Sequence, residues 1–285
     1  MTDRADLRRL LRAGTDALLS AGVPDAALDS EYLLAEVLKV PRLNLLFNIS
    51  SPVPPGAEEA YTALIRRRAA REPLQYILGS QPFYGRDFLV GEGVLIPRAD
   101  TESVCGEALA LIPENAPARV LDLCCGSGAL AVTFALEKPR ARVTACDISD
   151  AALGYAEKNA RLNGADVELV LGDLWEAVPG RFFDVIVSNP PYIPDGELPF
   201  LQEEVRREPE TALRGGADGL DFYRRIFAGL GEHLAPGGAL CLECGDTQTG
   251  ALLRMMGPLF GECRAFSDLG GRPRGAVGKG FRAYS

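Results

Sequence analysis

Several things are scarce in this chain of 285 residues, and each scarcity excludes something. No apolar run approaches the 18 or so residues of a membrane span. The N-terminus, MTDRADLRRLLRAGTD, is charged throughout and lacks the apolar core of a signal peptide, so the protein is expected in the cytoplasm. Basic residues are outnumbered, 30 against 39 acidic, for a net charge of −9. That balance disfavours broad contact with nucleic acid, which needs clustered Lys and Arg. The only dense basic patch is Arg66, Arg67, Arg68 and Arg71, read as a solvated helix face; a docking patch for an acidic partner is the alternative. Residues 1–75 hold ten basic and ten acidic side chains, so the whole deficit lies in 76–285.

The seven cysteines lack any framework spacing and fit reduced thiols. Cys241 and Cys244 form a C-x-x-C, but GALCLECG reads as a buried strand whose positions 241 and 244 face opposite ways, which is wrong for chelating a metal. Cys124 and Cys125 are adjacent, where a disulfide would be strained. The single histidine, His233, sits near a predicted helix end and suits a cation at a helix C-terminus rather than catalysis.

What is present falls into three regions. Leu7, Leu10, Leu11 and Leu18 recur at helical spacing over 3–20, and Leu28, Tyr32, Leu33 and Val37 repeat it over 25–39. LNLLFN at 43–48 is a short apolar piece. A loop, SPVPPG, then leads into a helix ending near Arg71, before Pro73. Residues 1–72 are therefore expected to be a small all-helical domain. Residues 73–98 mix aromatic and β-branched residues with Gly, Pro and Asp, and read as a β-hairpin linker. Residues 99–285 form the third region. From residue 117 apolar strands alternate with helical stretches: ARVLDLC, ARVTACD, VELVLGD, FFDVIVSN, GALCLECG, GECRAFSD and KGFRAYS are the strands. The helices are expected at 128–137, 149–162, 218–234 and 246–258. This predicts an α/β, doubly wound, mostly parallel seven-stranded sheet with helices on both faces. The last two strands, joined by the loop LGGRPRGAVG, are expected to pair antiparallel at one end.

Ligands of such sheets bind at the carboxyl ends of the strands. Asp122, Asp147 and Asp173 fall at three such ends. Gly126, Gly128 and Ala131 match G-x-G-x-x-A, with Asp147 following 19 residues after Gly128, as in dinucleotide-binding proteins. Charge separates the possibilities. A pyrophosphate needs amide donors and no nearby carboxylate, whereas the sulfonium and ammonium of S-adenosylmethionine are attracted by one. On that reading Asp147 accepts from the ribose hydroxyls, Asp173 meets the adenine edge, and Leu174 or Trp175 covers its face. Capping and turn chemistry are the bland alternatives for Asp122 and Asp173.

The fourth strand runs into NPPY at 189–192. Such a corner can project the Asn189 side-chain oxygen and the Pro190 carbonyl over the cofactor edge, where each accepts one N–H of a planar NH2 group. Neither Pro190 nor Pro191 adds a competing donor, and Tyr192 can pack on the flat face of the target.

The set LDLCCGSGAL, VTACD, LGDLW and VSNPPYIP resembles the class I S-adenosylmethionine-dependent amino-methyltransferases. With REPLQYILG, LIPRADTE and EVRREPETAL it resembles more closely the PrmC/HemK family, which methylates the glutamine amide (N5) in the Gly-Gly-Gln motif of bacterial peptide-chain release factors. The resemblance runs from about residue 65 to 284, and it implies a Rossmann-like catalytic domain behind a helical substrate-recognition domain. It implies that Asp122, Cys124, Cys125, Gly126, Ser127 and Gly128 serve the methionine end of S-adenosylmethionine, that Asp147 and Ile148 serve its ribose, and that Asp173, Leu174 and Trp175 serve its adenine. Asn189, Pro190, Pro191 and Tyr192 would hold the substrate glutamine, with Asn189 also facing the cofactor and Pro97 and Arg98 lining the site. Asn189, Pro190 and Tyr192 are the catalytic candidates, no metal is implied, and the enzyme is expected to act as a monomer. The family's loop begins with glycine where this chain has Cys124. Cys124 is expected in an ordinary backbone conformation, with a slightly altered approach to the methionine carboxylate.

Three rivals share parts of this pattern. A ribosomal-protein glutamine methyltransferase shares NPPY, although IPRADTE leans toward the release-factor branch. A nucleic-acid adenine amino-methyltransferase uses the same corner on a flipped base, but the acidic balance opposes it. A dinucleotide-binding oxidoreductase rests on Gly126–Ala131 alone.

Overall fold

A computed structural model describes residues 6–282, so the first residues of the 3–20 helix and the last three of the final strand lie outside the described residues. The chain divides into two compact units, residues 1–79 with 202–207, and residues 80–201 with 208–285.

In the first unit, helix α1 (Leu7–Ser20) starts where the Asp6 carboxylate accepts the Arg9 N–H at 2.9 Å. Helices α2 (Ala26–Leu38), α3 (Arg42–Phe47) and α4 (Ala57–Ala69) follow. Leu10, Leu18, Leu33, Leu34, Leu45 and Ile65 form their shared core. α1 meets α4 at Gly14, where a Cβ would stand 2.0 Å from the Tyr61 oxygen. The Tyr61 hydroxyl donates to Ser30 (2.5 Å), whose own proton goes to the Leu11 carbonyl (3.1 Å). Residues 74–78, expected in the hairpin linker, form a fifth helix, α5 (Leu74–Leu78), and belong to this unit. Pro73 opens it and Gly79 closes it at φ 78°.

Arg66 and Arg67 form the solvated helix face that the sequence suggests, but Arg68 and Arg71 do not belong to it. Arg68 is buried, with Nε 2.7 Å from Asp29 and Nη2 2.8 Å from Glu204. Arg71 grips both oxygens of Glu204, at 2.8 and 2.6 Å. The local pattern could not show this, because Glu204 lies 133 residues beyond Arg71 in the chain. Burial pulls the Glu204 carboxyl up, but Arg71 and Arg68 outweigh it and bring it down to about 2.

The second unit opens with a hairpin, β1 (Ser80–Phe83) and β2 (Arg86–Leu89). Tyr84 (φ 50°) and Gly85 (φ 74°) form its turn; positive φ at both is what a two-residue turn between twisted strands requires. Helix α6 (Thr101–Leu109) leads into β3 (Ala118–Leu123), α7 (Ala129–Glu137), β4 (Ala141–Asp147), α8 (Asp150–Asn163), β5 (Val167–Leu171) and β6 (Phe183–Ser188). Helix α9 (Asp221–Gly229), β7 (Leu234–Glu243), α10 (Thr249–Met256), β8 (Phe260–Ser267) and β9 (Pro273–Phe281) complete it. The seven strands lie in the order β5-β4-β3-β6-β7-β9-β8, parallel from β5 through β7, with β9 antiparallel to both of its neighbours. The chain order reverses between β3 and β6, the place where a doubly wound sheet opens a ligand crevice.

The stretch expected as a loop, LGGRPRGAVG, is mostly strand β9. Its glycines are there for packing, since a Cβ at Gly275 would lie 2.4 Å from the Phe266 ring and one at Gly278 would lie 2.7 Å from the Phe260 ring. Glycine-rich sequence reads as a loop, but here it makes room for aromatic side chains of the paired strand. Helices cover both faces of the sheet, and Cys241 falls in one core and Cys244 in the other.

Candidate active site

A cleft of about 660 Å³ opens at the carboxyl ends of β3, β4 and β6. Cys124, Gly126, Asp147, Ile148, Leu174 and Asn189 line it. Its wall also takes residues from three segments not counted among the candidates: Gly93 to Leu95 after the hairpin, Pro209 with Thr211 and Ala212, and Phe222 on α9.

The turn after β3 carries the first correction. Cys124 takes φ 59°, not an ordinary conformation, so it adopts the geometry that glycine would adopt freely. Leu174, on the facing wall, takes φ 50°. Left-handed backbone at a non-glycine residue costs about 1–3 kcal/mol and persists only where the surroundings enforce it. Both strained residues lie on the cleft. The next two glycines are left-handed as well, Gly126 at φ 54° and Gly128 at φ 78°. A Cβ on Gly128 would come within 3.0 Å of Ala156, so this glycine lets the loop sit against α8. Asn159, fully buried on α8, fixes the loop further: its amide donates to the Ser127 carbonyl (2.9 Å) and exchanges bonds with Leu89 of the hairpin.

The three strand-end carboxylates have separate tasks. Asp147 lines the cleft and is held in place by backbone, accepting the Gly126 N–H and the Ser149 N–H, each at 2.9 Å. Burial raises its pKa despite those bonds. Asp122 is wholly buried and lies outside the cleft lining. One of its oxygens accepts the Ala131 N–H (3.1 Å) in the first turn of α7, and the other has no hydrogen-bond partner. Burial pushes its carboxyl up to about 8, and its bond to the Ala131 N–H ties the end of β3 to the first turn of α7. Asp173 lines the cleft but is paired with Arg225 at 2.7 Å.

Trp175, expected to cover the adenine, does not line the cleft. It stacks on His233 with ring centroids 4.6 Å apart and planes 1° from parallel, and its Nε1 donates to the Arg225 carbonyl. The turn Leu174–Ala177 gives the cleft to Leu174 and turns the next side chain toward α9, where Gly229 makes room for it. His233, which directly follows the 3-10 turn Leu230–Glu232, is buried behind that indole, with Nδ1 3.0 Å from the Arg181 carbonyl. Cys125, Ser127 and Gly128 lie behind the turn, outside the cleft lining.

Pro97 and Arg98 do not line the cleft either; Leu95 does. Arg98 pairs with Glu208, whose side chain is only 1% exposed and whose other oxygen accepts the Ile96 N–H at 2.9 Å. One buried carboxylate thus joins IPR at 96–98 to EPE at 208–210, next to Leu95 and Pro209 of the cleft wall. A buried acid of this kind is visible only once the two segments are brought together.

Of the proline corner, Asn189 and Pro191 line the cleft. Pro190 is buried, and Tyr192 packs against the core beneath β6 and β7 with its hydroxyl toward Arg274, so it is not placed to cover a substrate. The corner is braced from behind: the Tyr192 carbonyl accepts from Gln248 at 2.9 Å, and a Cβ at Gly215 would lie 2.7 Å from the Tyr192 Cα. Among the described residues no group of His, Cys, Asp and Glu side chains could hold a metal ion.

Residues 9–79 match the PrmC N-terminal domain family, and residues 107–216 match the methyltransferase small domain family. The release factor glutamine methyltransferase of Geobacter sulfurreducens is 43% identical over 284 residues, covering 98% of this chain and 99% of its own. That of Moorella thermoacetica is 42% identical over 273 residues, covering 94% and 96%. The chain belongs to the release factor glutamine methyltransferase family. A methyltransferase structure from Pyrococcus furiosus superposes with a TM-score of 0.52 at 19% identity, covering 78% of this chain and 98% of that one, which shows the class I methyltransferase fold. In this methyltransferase, the strained turn after β3 and the Asn189 corner after β6 therefore border one cleft on a Rossmann-like sheet.

Proposed function

We propose that this enzyme transfers a methyl group from S-adenosylmethionine to the side-chain amide nitrogen of the glutamine in the Gly-Gly-Gln motif of bacterial release factors. The carrying observation is that Asn189 borders the same cleft as Asp147 and the Cys124–Gly126 turn. Near-full-length likeness to release factor glutamine methyltransferases supports the substrate class.

The cleft suits S-adenosylmethionine. Asp147 keeps lone pairs free after its two backbone bonds and can accept from ribose hydroxyls. Ile148, Leu174 and Phe222 offer apolar surface for a purine. A pyrophosphate would instead meet the carboxylate of Asp147, where it needs amide donors. Bound there, S-adenosylmethionine supplies an electrophilic methyl group on a positively charged sulfur.

An amide nitrogen is a poor nucleophile because its lone pair is delocalised. Asn189 Oδ1 and the Pro190 carbonyl each accept one N–H of the glutamine, which fixes its plane and leaves one direction for attack. Positioning of this kind supplies several kcal/mol. The same two acceptors stabilise positive charge arriving on nitrogen. The methylated nitrogen is acidic and loses its proton to water, so no histidine base is required. The helical unit docks the release factor, and the enzyme works as a cytoplasmic monomer; no helix among the described residues is long and apolar enough to cross a membrane.

The test is incubation of the protein with labelled S-adenosylmethionine and a bacterial extract, followed by mass spectrometry of the labelled band. The expected product is a release factor carrying one methyl group on its Gly-Gly-Gln glutamine. Label on a ribosomal protein, or tight NAD binding without S-adenosylmethionine binding, overturns the reading. Asn189→Ala is expected to keep cofactor affinity and lose transfer by about a hundredfold or more.

A further inference from the structure

The Asn189 amide can present either of its ends to a substrate, and only the oxygen end serves the reaction proposed above, on which this inference rests. Something must therefore fix its orientation. Its Nδ2 donates to the Thr101 hydroxyl, at a long 3.4 Å. Thr101 opens α6 and is 5% exposed. The Thr101 side chain lies near enough to the Glu243 carboxyl to favour its charged form. Glu243 ends β7, one step beyond the pairing of Ser188 with Leu242, so it lies beside Asn189 across the sheet. It is 1% exposed, and its second oxygen has no hydrogen-bond partner. Neither side chain lines the cleft.

We propose that Thr101 and Glu243 are positioning residues that orient the Asn189 amide. An ionised Glu243 can only accept, so the Thr101 proton is committed to it. The Thr101 oxygen can then only accept, which draws the NH2 of Asn189 inward and leaves Oδ1 for the substrate. A protonated Glu243 can donate to Thr101 instead. The Thr101 proton is then released toward Asn189, the amide can reverse, and its NH2 faces the substrate NH2. Burial pushes the Glu243 carboxyl up to about 7, opposed by Thr101, by Arg274 on β9 and by Arg98, while Asp100 adds to the rise. Tyr192 and Tyr223 also face Glu243, the latter donating to its backbone carbonyl at 2.7 Å. The orientation is thereby coupled to pH near neutrality.

The experiment measures methylation of a purified bacterial release factor by the full-length enzyme between pH 5.5 and 9. Parent, Thr101→Val, Thr101→Ser and Glu243→Gln are compared, each checked for S-adenosylmethionine binding. The parent kcat is expected to fall on the acid side of about 7. Thr101→Val is expected to lower kcat by about tenfold to a hundredfold with KM for the release factor unchanged. Thr101→Ser restores most of the rate, and Glu243→Gln removes the acid limb. A parental kcat in Thr101→Val, or an unaltered acid limb in Glu243→Gln, overturns the inference while a labelling parent leaves the proposed function intact. A parent that labels no release factor overturns both. Should Thr101→Val lose cofactor binding through misfolding, the Glu243→Gln profile decides.

Discussion

Glu204 of the helical unit and the two strand-end acids Asp122 and Glu243 meet opposite treatment. In the helical unit, Asp29 and Glu204 converge on Arg68 and Arg71, and Glu204 is drawn down to about 2. At the strand ends, Asp122 and Glu243 each keep one buried oxygen without a partner, and burial raises them to about 8 and about 7. Charge that serves structure is neutralised where it lies. Asp122 and Glu243 are left under-satisfied, while Glu208 nearby is paired with Arg98.

Arg68→Met strikes that contrast hardest. It leaves Asp29 and Glu204 facing each other without their shared cation, and about 3 kcal/mol of stability is expected to be lost in urea unfolding. Glu204→Gln is milder, roughly 2 kcal/mol, since Arg68 keeps Asp29. The Glu204 contribution is present above the ordinary glutamate pKa and fades as pH falls toward about 2. Asp122→Asn has the opposite sign. A raised carboxyl helps the fold below the ordinary aspartate pKa and loses that help as pH rises through about 8. The Asp122→Asn variant should therefore gain Tm relative to the parent as pH rises from about 5 to about 8; a constant gap would place the Asp122 proton elsewhere. Smallest is Trp175→Phe, which disturbs the His233 stack at a cost of about 1 kcal/mol and leaves S-adenosylmethionine affinity unchanged. A marked loss of affinity would return Trp175 to the cofactor.

Strand and helix periodicity revealed the parallel sheet because its buried strands are nearly continuous apolar runs, VLDL and DVIV among them. The first half of β9 was hidden because its glycines answer to aromatic rings on β8, the strand it pairs with. Leu74–Leu78 was hidden because five residues hold too little of a helical period. Asp147 and Asn189, singled out by residue type at a strand end, both line the cleft. The site was not legible where direction matters. Leu174 and Trp175 are neighbours, and a single left-handed residue decides which of them the cleft receives. Glu208, Thr101 and Glu243 act through partners far off in the chain, so local spacing carried no sign of them.

The helical unit is discontinuous in the chain, and synthesis proceeds in one direction. Arg71 leaves the ribosome 133 residues ahead of the glutamate that it grips, a delay on the order of ten seconds at typical elongation rates. Until then Arg71 lacks its carboxylate partner and Arg68 has only Asp29. The helical unit, although translated first, can reach its final charge balance only after β6 and the proline corner have been made.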